Sequence, residues 1–259
     1  MGRLTLSLIR RFRQWERSAQ IAVLIALALL VIVILIAGIG PVEIRTPALI
    51  GIIGLVLTLQ MIVLWANRDL VTPYTAAQRA YLRGDFDAAR ATLEDEGAAA
   101  DGKSLTLLGN TYRQLGRLDA SETALIAALD KLPDDQFPLY GLGRTLLAQG
   151  RYGEAADRLE AALAAGAPDV VRVDLAEAFY RAGEEDRART TLAALADVDQ
   201  EPYRSLIVAY MRWRLGDGPQ PDAALIRDGI EFWQATAERF AHMPYGTSVA
   251  ADVQAMVAH

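Results

Sequence analysis

The chain has 259 residues, of which 53% are hydrophobic and 22% charged, with a net charge of −6, no cysteine and only two histidines, His242 and His259. Those counts exclude a disulfide framework, a thiol nucleophile, a cysteine-ligated metal and a histidine-based triad or metal cluster. The length leaves room for a membrane segment and one further domain of about 190 residues.

Charge is divided unevenly. Residues 1–65 carry six basic and two acidic groups, a net of +4, which leaves 20 basic and 30 acidic groups and a net of −10 for the rest. A basic start suits anionic lipid, and an acidic remainder argues against nucleic-acid phosphate as a partner. Residues 1–18 read as a basic amphipathic segment, because Leu4, Leu8, Phe12 and Trp15 recur at helical spacing while Arg10, Arg11, Arg13 and Arg17 lie largely off that stripe. Such a helix lies in a membrane interface; the alternative is a basic tail that only sets topology.

Two uncharged runs follow, 25 residues from Ser18 to Val42 and 22 from Thr46 to Asn67. Cores at Ala19–Ile39 and Ala48–Trp65 would reach roughly 31 and 27 Å as helices, against a hydrocarbon thickness of about 30 Å. Residues 19–66 are therefore expected to form a two-span transmembrane hairpin. The first run is about twice a signal-peptide core, and a second run follows at once, which argues against cleavage. Thr46-Pro47 supplies a helix start, with proline in the first turn.

Five arginines precede the first span, and Arg68, Arg79 and Arg83 follow the second; the loop between has Arg45 offset by Glu43. The positive-inside rule then puts both ends in the cytoplasm, with Trp15 and Trp65 at the same interface. Gly51 and Gly54 would allow close helix approach, and the amide of Gln60 would need a partner in lipid. These five residues are the expected membrane contacts.

From residue 67 to 219 the chain repeats. Gly84, Gly116, Gly150, Gly183 and Gly216 are separated by 32, 34, 33 and 33 residues. Seven residues before each stands a small residue (Ala77, Gly109, Gly143, Ala176, Ala209), and nine after each a leucine (Leu93, Leu125, Leu159, Leu192, Leu225). A period in the low thirties with a glycine between two helical patterns predicts stacked helical hairpins, in which small residues let paired helices approach and leucines fill the gap. The fifth unit is modified, with a Gly216-Asp217-Gly218-Pro219-Gln220-Pro221 break, and residues 220–259 are expected to form C-terminal capping helices. The fold class expected is all-α: a transmembrane helical hairpin followed by an α-solenoid with C-terminal caps.

These columns resemble the tetratricopeptide repeat (TPR) family, with the turn glycines, the Gly109-x-x-Tyr112 and Ala176-x-x-Phe179 spacings, and the closing Pro133, Pro168 and Pro202. The two-span layout in front is similar to that of HemY-like membrane TPR proteins. The resemblance implies that the first helix of each repeat lines a groove for extended peptides. Residues six, three and two before each turn glycine then face a partner: Gln78 and Tyr81; Asn110, Arg113 and Gln114; Arg144; Glu177, Tyr180 and Arg181; Tyr210, Trp213 and Arg214. Residues ten before it add Tyr74, Thr106, Tyr140 and Leu206. Aromatics beside arginines are the types enriched at interface hot spots, so the expected ligand is a segment with carboxylates beside apolar anchors. A competing reading packs these tyrosines between repeats and pairs the arginines with neighbouring acids.

The function expected is a membrane-anchored TPR adaptor or scaffold in the bacterial inner membrane, with the N-terminus and the repeats cytoplasmic. It binds a protein partner, a peptide segment or a subunit of a membrane complex, and contacts lipid. The alternative is an accessory subunit whose hairpin packs inside a larger membrane complex. No catalytic constellation, cofactor, metal or nucleic-acid contact is expected.

Overall fold

The computed structural model describes residues 17–67, 72–95, 97, 100–195 and 201–258. The basic segment up to residue 16, Trp15 included, and Arg68 lie outside the described residues. Thirteen helices and no strand occur among the residues described. The chain divides into two compact units, residues 1–72 and 73–259.

The first unit is a helical hairpin, α1 (Arg17–Ile39) against α2 (Val42–Asn67). Both helices are long and apolar enough to cross a membrane. Small side chains make the contact between them: Ala19, Val23, Ala26 and Ala48 are buried, while Ile21, Leu24, Leu57 and Met61 stay more than half exposed. The second helix begins earlier than the proline suggested. It starts at Val42, directly after Gly40-Pro41, and Pro47 stands inside it. One unpaired carbonyl near a helix start is a small loss compared with leaving that backbone irregular.

The second unit opens with five antiparallel helix pairs: α3 (Pro73–Leu82) with α4 (Phe86–Glu94), α5 (Gly102–Gln114) with α6 (Leu118–Lys131), α7 (Gln136–Gln149) with α8 (Tyr152–Ala164), α9 (Val171–Ala182) with α10 (Glu185–Ala193), and α11 (Pro202–Arg214) with α12 (Ala223–Arg239). A last helix, α13 (Pro244–Val257), packs on α12 and returns to lie against α7. Aspartates start several of these helices. Asp85, Asp101, Asp135 and Asp222 each accept a hydrogen bond from a first-turn amide, at 3.1, 2.8, 2.9 and 2.8 Å.

The period has a backbone cause. Gly84, Gly116, Gly150, Gly183 and Gly216 adopt φ of 79°, 72°, 81°, 77° and 80°, the left-handed region in which an L side chain is strained. Gly183 has open space around the position of a Cβ, so Gly183→Ala isolates the conformational cost. It is expected to destabilise the unit by about 1 kcal/mol, read from the midpoint of urea unfolding.

The two flanking columns meet in the core. A Cβ on Gly109 would stand 2.5 Å from Leu125 Cγ, and one on Gly143 would stand 2.7 Å from Leu159 Cγ. Leu93, Leu125, Leu159 and Leu192 are at most 2% exposed. The fifth pair departs from this pattern: Ala209 and Leu225 are only half-buried, and α12 packs on α11 and α13, with no further repeat following it. Trp233 and Phe240 of that closing region are buried, and the Trp233 indole N–H donates to the Tyr203 carbonyl at 2.7 Å.

Candidate functional site

The first helices α3, α5, α7, α9 and α11 present one common face, which carries the residues six and two positions before each turn glycine. Its two halves differ. On α3 and α5 the face is open: Gln78 is exposed, and Tyr81, Asn110 and Gln114 are half-buried. Gln114 donates to the Tyr81 hydroxyl at 3.3 Å, and the Tyr81 ring meets Phe86 edge-on at 5.3 Å. Asn110 is pressed toward Gly141 of the next pair.

On α9 and α11 the chain's own last helix covers the face. Arg181 donates from Nε to Glu177 at 2.8 Å and from Nη1 to the Ser248 hydroxyl at 2.8 Å, and it pairs with Asp252 at 3.0 Å. The Tyr245 hydroxyl donates to Glu177 at 3.1 Å, and the Tyr210 hydroxyl donates to Asp252 at 2.8 Å. Tyr245, Ser248 and Asp252 all belong to α13. The side chains of Arg181 and Glu177 are only 2% and 3% exposed, and Tyr210 is fully buried. Burial raises the Glu177 carboxyl above its ordinary range although Arg181 pulls the other way. Burial also pushes the Tyr245 hydroxyl well up, with the Glu177 charge adding to it. Tyr180 and Trp213 are half-buried at the edge of this network, and Arg214 is exposed with its guanidinium donating to the Tyr210 hydroxyl at 2.7 Å.

The middle of the face holds a second set. The Tyr140 hydroxyl donates to Asp174 at 2.8 Å, and Arg144 pairs with the same carboxylate at 3.4 Å. Burial alone would lower Arg144, but Asp174 and Tyr140 outweigh it and hold the guanidinium well above its usual value. Arg113, one helix earlier, is 9% exposed and has no hydrogen-bond or ion-pair partner among the described residues. Beside it, enclosed by α5, α7, α11, α12 and α13, lies a cavity of about 210 Å³. Of the remaining positions, Tyr74 is half-buried on α3, Thr106 donates to the Gly102 carbonyl at 2.7 Å, and Leu206 is fully buried in the core.

In the hairpin unit, a Cβ on Gly51 would meet Val33 at 3.7 Å, so Gly51 faces α1. Gly54 has open space around it, and Gln60 and Trp65 are exposed. The sequence reading missed Tyr245, Ser248, Asp252 and Arg239. The signal available was the spacing of Tyr245, Ser248 and Asp252, three polar side chains on one stripe of the last helix.

Comparison with known proteins identifies the repeats. Tetratricopeptide repeat models match residues 146–209, 106–170 and 74–95. The helix pairs that carry these matches are stacked as a TPR-like α-solenoid. The fold is similar to the crystal structure of TTC0263, a thermophilic TPR protein of Thermus thermophilus, with a TM-score of 0.51 at 15% identity over 72% of this chain and 98% of that one. It is also similar to MamA RS-1, as a double mutant termed ArsTM, with a TM-score of 0.48 at 21% identity over 71% and 93% of the two chains. For MamA MSR-1, form C2, the values are 0.48, 20%, 71% and 98%. None of the curated proteins matches the chain. This chain therefore carries tetratricopeptide repeats across most of residues 74–209.

Proposed function

We propose that the chain is a membrane-anchored adaptor. In this reading the apolar hairpin sits in a bilayer, and the repeats hold a protein segment on the part of the inner face that α13 leaves open. The observation that carries it is the asymmetry of that face. Gln78, Tyr81 and Asn110 offer an aromatic ring and amide donors and acceptors at a surface that α13 leaves uncovered, bounded by Gln114, to which Arg239 of α12 already donates. The equivalent positions on α9 and α11 are already satisfied within the chain.

The anchor is supported by exposure. Only 11% of the most apolar stretch of α1, and 6% of that of α2, is buried. Apolar patches of that extent on soluble monomers mark contact surfaces, and lipid is the environment that covers both sides of a thin hairpin. The arginines that flank the apolar runs favour a cytoplasmic location for both ends in a bacterial inner membrane. The role proposed is holding a partner, without chemistry on it.

The test is a comparison of variants purified in mild detergent with their bound proteins. Replacing Tyr81 and Gln78 together by alanine is expected to reduce recovery of the specific partner about tenfold or more, with a smaller loss of stability from the Tyr81–Phe86 contact that leaves the unit folded. Full recovery by the folded double variant would rule out the open half of the face as the docking surface.

One observation favours the second reading, an accessory subunit of a membrane complex. Gly54 and Gln60 both point away from α1, toward whatever surrounds the hairpin. An exposed amide in lipid is costly unless a neighbouring helix receives it. Deletion of residues 1–66 separates the readings: an adaptor keeps its partner, and an accessory subunit loses it.

A further inference from the structure

We infer that the cavity closed by the C-terminal helices is a binding site for a small oxyanion, a phosphate or a carboxylate on a compact body. Three guanidiniums line it: Arg113 from α5, Arg144 from α7 and, at the mouth, Arg239 from the end of α12. No carboxylate is among the lining side chains. Such a cluster runs against composition, since residues 66–259 hold ten more acidic than basic groups.

The three charges are unequally answered. Arg144 has Asp174 at 3.4 Å. Arg239 donates to Gln114, a neutral amide. Arg113 has neither an acid nor an amide within hydrogen-bond or ion-pair distance among the described residues, and Asp174 reaches it only as a more distant charge: it is 9% exposed, and its Nε is sealed from solvent with no acceptor. A buried guanidinium without an anion is strongly unfavourable, and a folded chain that retains one is poised to take its counter-charge from solution. Burial and the like charge of Arg144 both draw Arg113 below its usual value, and burial does the same to Arg239.

The walls fit a small ligand. Phe232, Phe240 and Tyr203 close the sides, and the low-dielectric setting strengthens each charge-assisted hydrogen bond. A volume of about 210 Å³ admits a phosphate or a short dicarboxylate and not a folded segment. A bound oxyanion would also bridge α12 to α5 and α7, fastening the C-terminal helices over the inner face. Anion occupancy would thereby govern how much of that face is covered. The site stands on its own geometry and does not depend on the adaptor role.

The experiment uses the full chain in detergent micelles. Sodium phosphate and, separately, sodium succinate are titrated against chloride at constant ionic strength, and binding is followed by calorimetry and thermal unfolding. At least one probe is expected to bind saturably at one site and to raise the unfolding temperature; phosphate alone points to a phosphorylated ligand, succinate alone to a carboxylate. Arg113→Met is expected to weaken that binding about tenfold or more, yet to unfold at a higher temperature than the parent without anion, because an unanswered buried charge has gone. Arg239→Gln, at an exposed position, should weaken binding with the fold intact. Arg227→Gln, outside the cavity, should bind as the parent does. Failure of both probes to act beyond chloride, unchanged affinity in Arg113→Met and Arg239→Gln, or an anion-free Arg113→Met protein less stable than the parent would each overturn the proposal.

Discussion

Replacing Arg181 by leucine is expected to destabilise the repeat unit by about 3–5 kcal/mol, which for a domain of this size lowers the melting temperature by roughly 6–20 °C. The magnitude follows from what remains after the change. Among the described residues, Arg181 is the only cation within ion-pair distance of both Glu177 and Asp252, at 2.8 and 3.0 Å, and both carboxylate residues are more than nine-tenths buried. Leucine fills the space and leaves two buried acids without a counter-charge, each keeping only a tyrosine hydroxyl, Tyr245 for Glu177 and Tyr210 for Asp252. The van der Waals loss is small by comparison, so desolvated charge decides the outcome.

The pH dependence has a definite sign. Burial already raises the Glu177 carboxyl in the parent, against the pull of Arg181, and removing Arg181 raises it further. A carboxyl whose folded pKa exceeds its unfolded value of about 4.3 binds more protons in the folded state. The stability linked to it is complete below about pH 4 and is lost as pH rises through the folded pKa. The deficit of Arg181→Leu should therefore be largest at neutral pH and shrink on acidification, as followed by urea unfolding monitored by far-ultraviolet circular dichroism. Adding Glu177→Gln to Arg181→Leu should recover part of the loss at neutral pH, since an amide tolerates burial better than an unpaired carboxylate. A deficit independent of pH would mean that Arg181 acts through packing alone.

How much of this was visible in the sequence depends on distance along the chain. The repeat was legible because its determinants are local. A positive φ accepts little besides glycine, so the turn positions wrote themselves as Gly84, Gly116, Gly150, Gly183 and Gly216. The small residues and leucines on either side belong to the same hairpin and recur in step with it. The covering of the inner face was not legible, because its bonds join Arg181 and Glu177 to residues 67 and 68 positions later and Arg239 to a residue 125 positions earlier. Nothing in a period of 32 to 34 residues refers to a helix that lies outside the period. The buried state of Arg113 was hidden for the same reason: its cavity exists only once α12 and α13 fold back. Pairing of Arg144 with Asp174 and of Arg181 with Glu177 is the arrangement that the competing reading of the groove described, and it coexists with an open stretch on α3 and α5.

The register of the hairpins makes the other large prediction. Gly143→Leu should destabilise the unit by about 3 kcal/mol or more, at or beyond the upper end of ordinary overpacking costs. The first carbon of the new side chain would lie 2.7 Å from Leu159 Cγ, 2.9 Å from Leu159 Cδ2 and 3.3 Å from the Ala155 carbonyl oxygen. Leu159 is fully buried and has nowhere to turn, and the carbonyl is backbone. Relief therefore requires α7 and α8 to separate, which also strains the packing of α9 on α8. Helix propensity works in the opposite direction, by about 0.5–1 kcal/mol in favour of replacing glycine, and is outweighed. Gly153 provides the control: it is exposed in the first turn of α8, and no atom lies within 4 Å of its Cβ position. Gly153→Ala should be neutral or stabilising by up to about 1 kcal/mol. The measurement is the urea midpoint of each variant at constant m-value. A Gly143→Leu chain that unfolds at the parent's midpoint would show that α7 and α8 do not approach through that position, and the correspondence between the small-residue and leucine columns would fall with it.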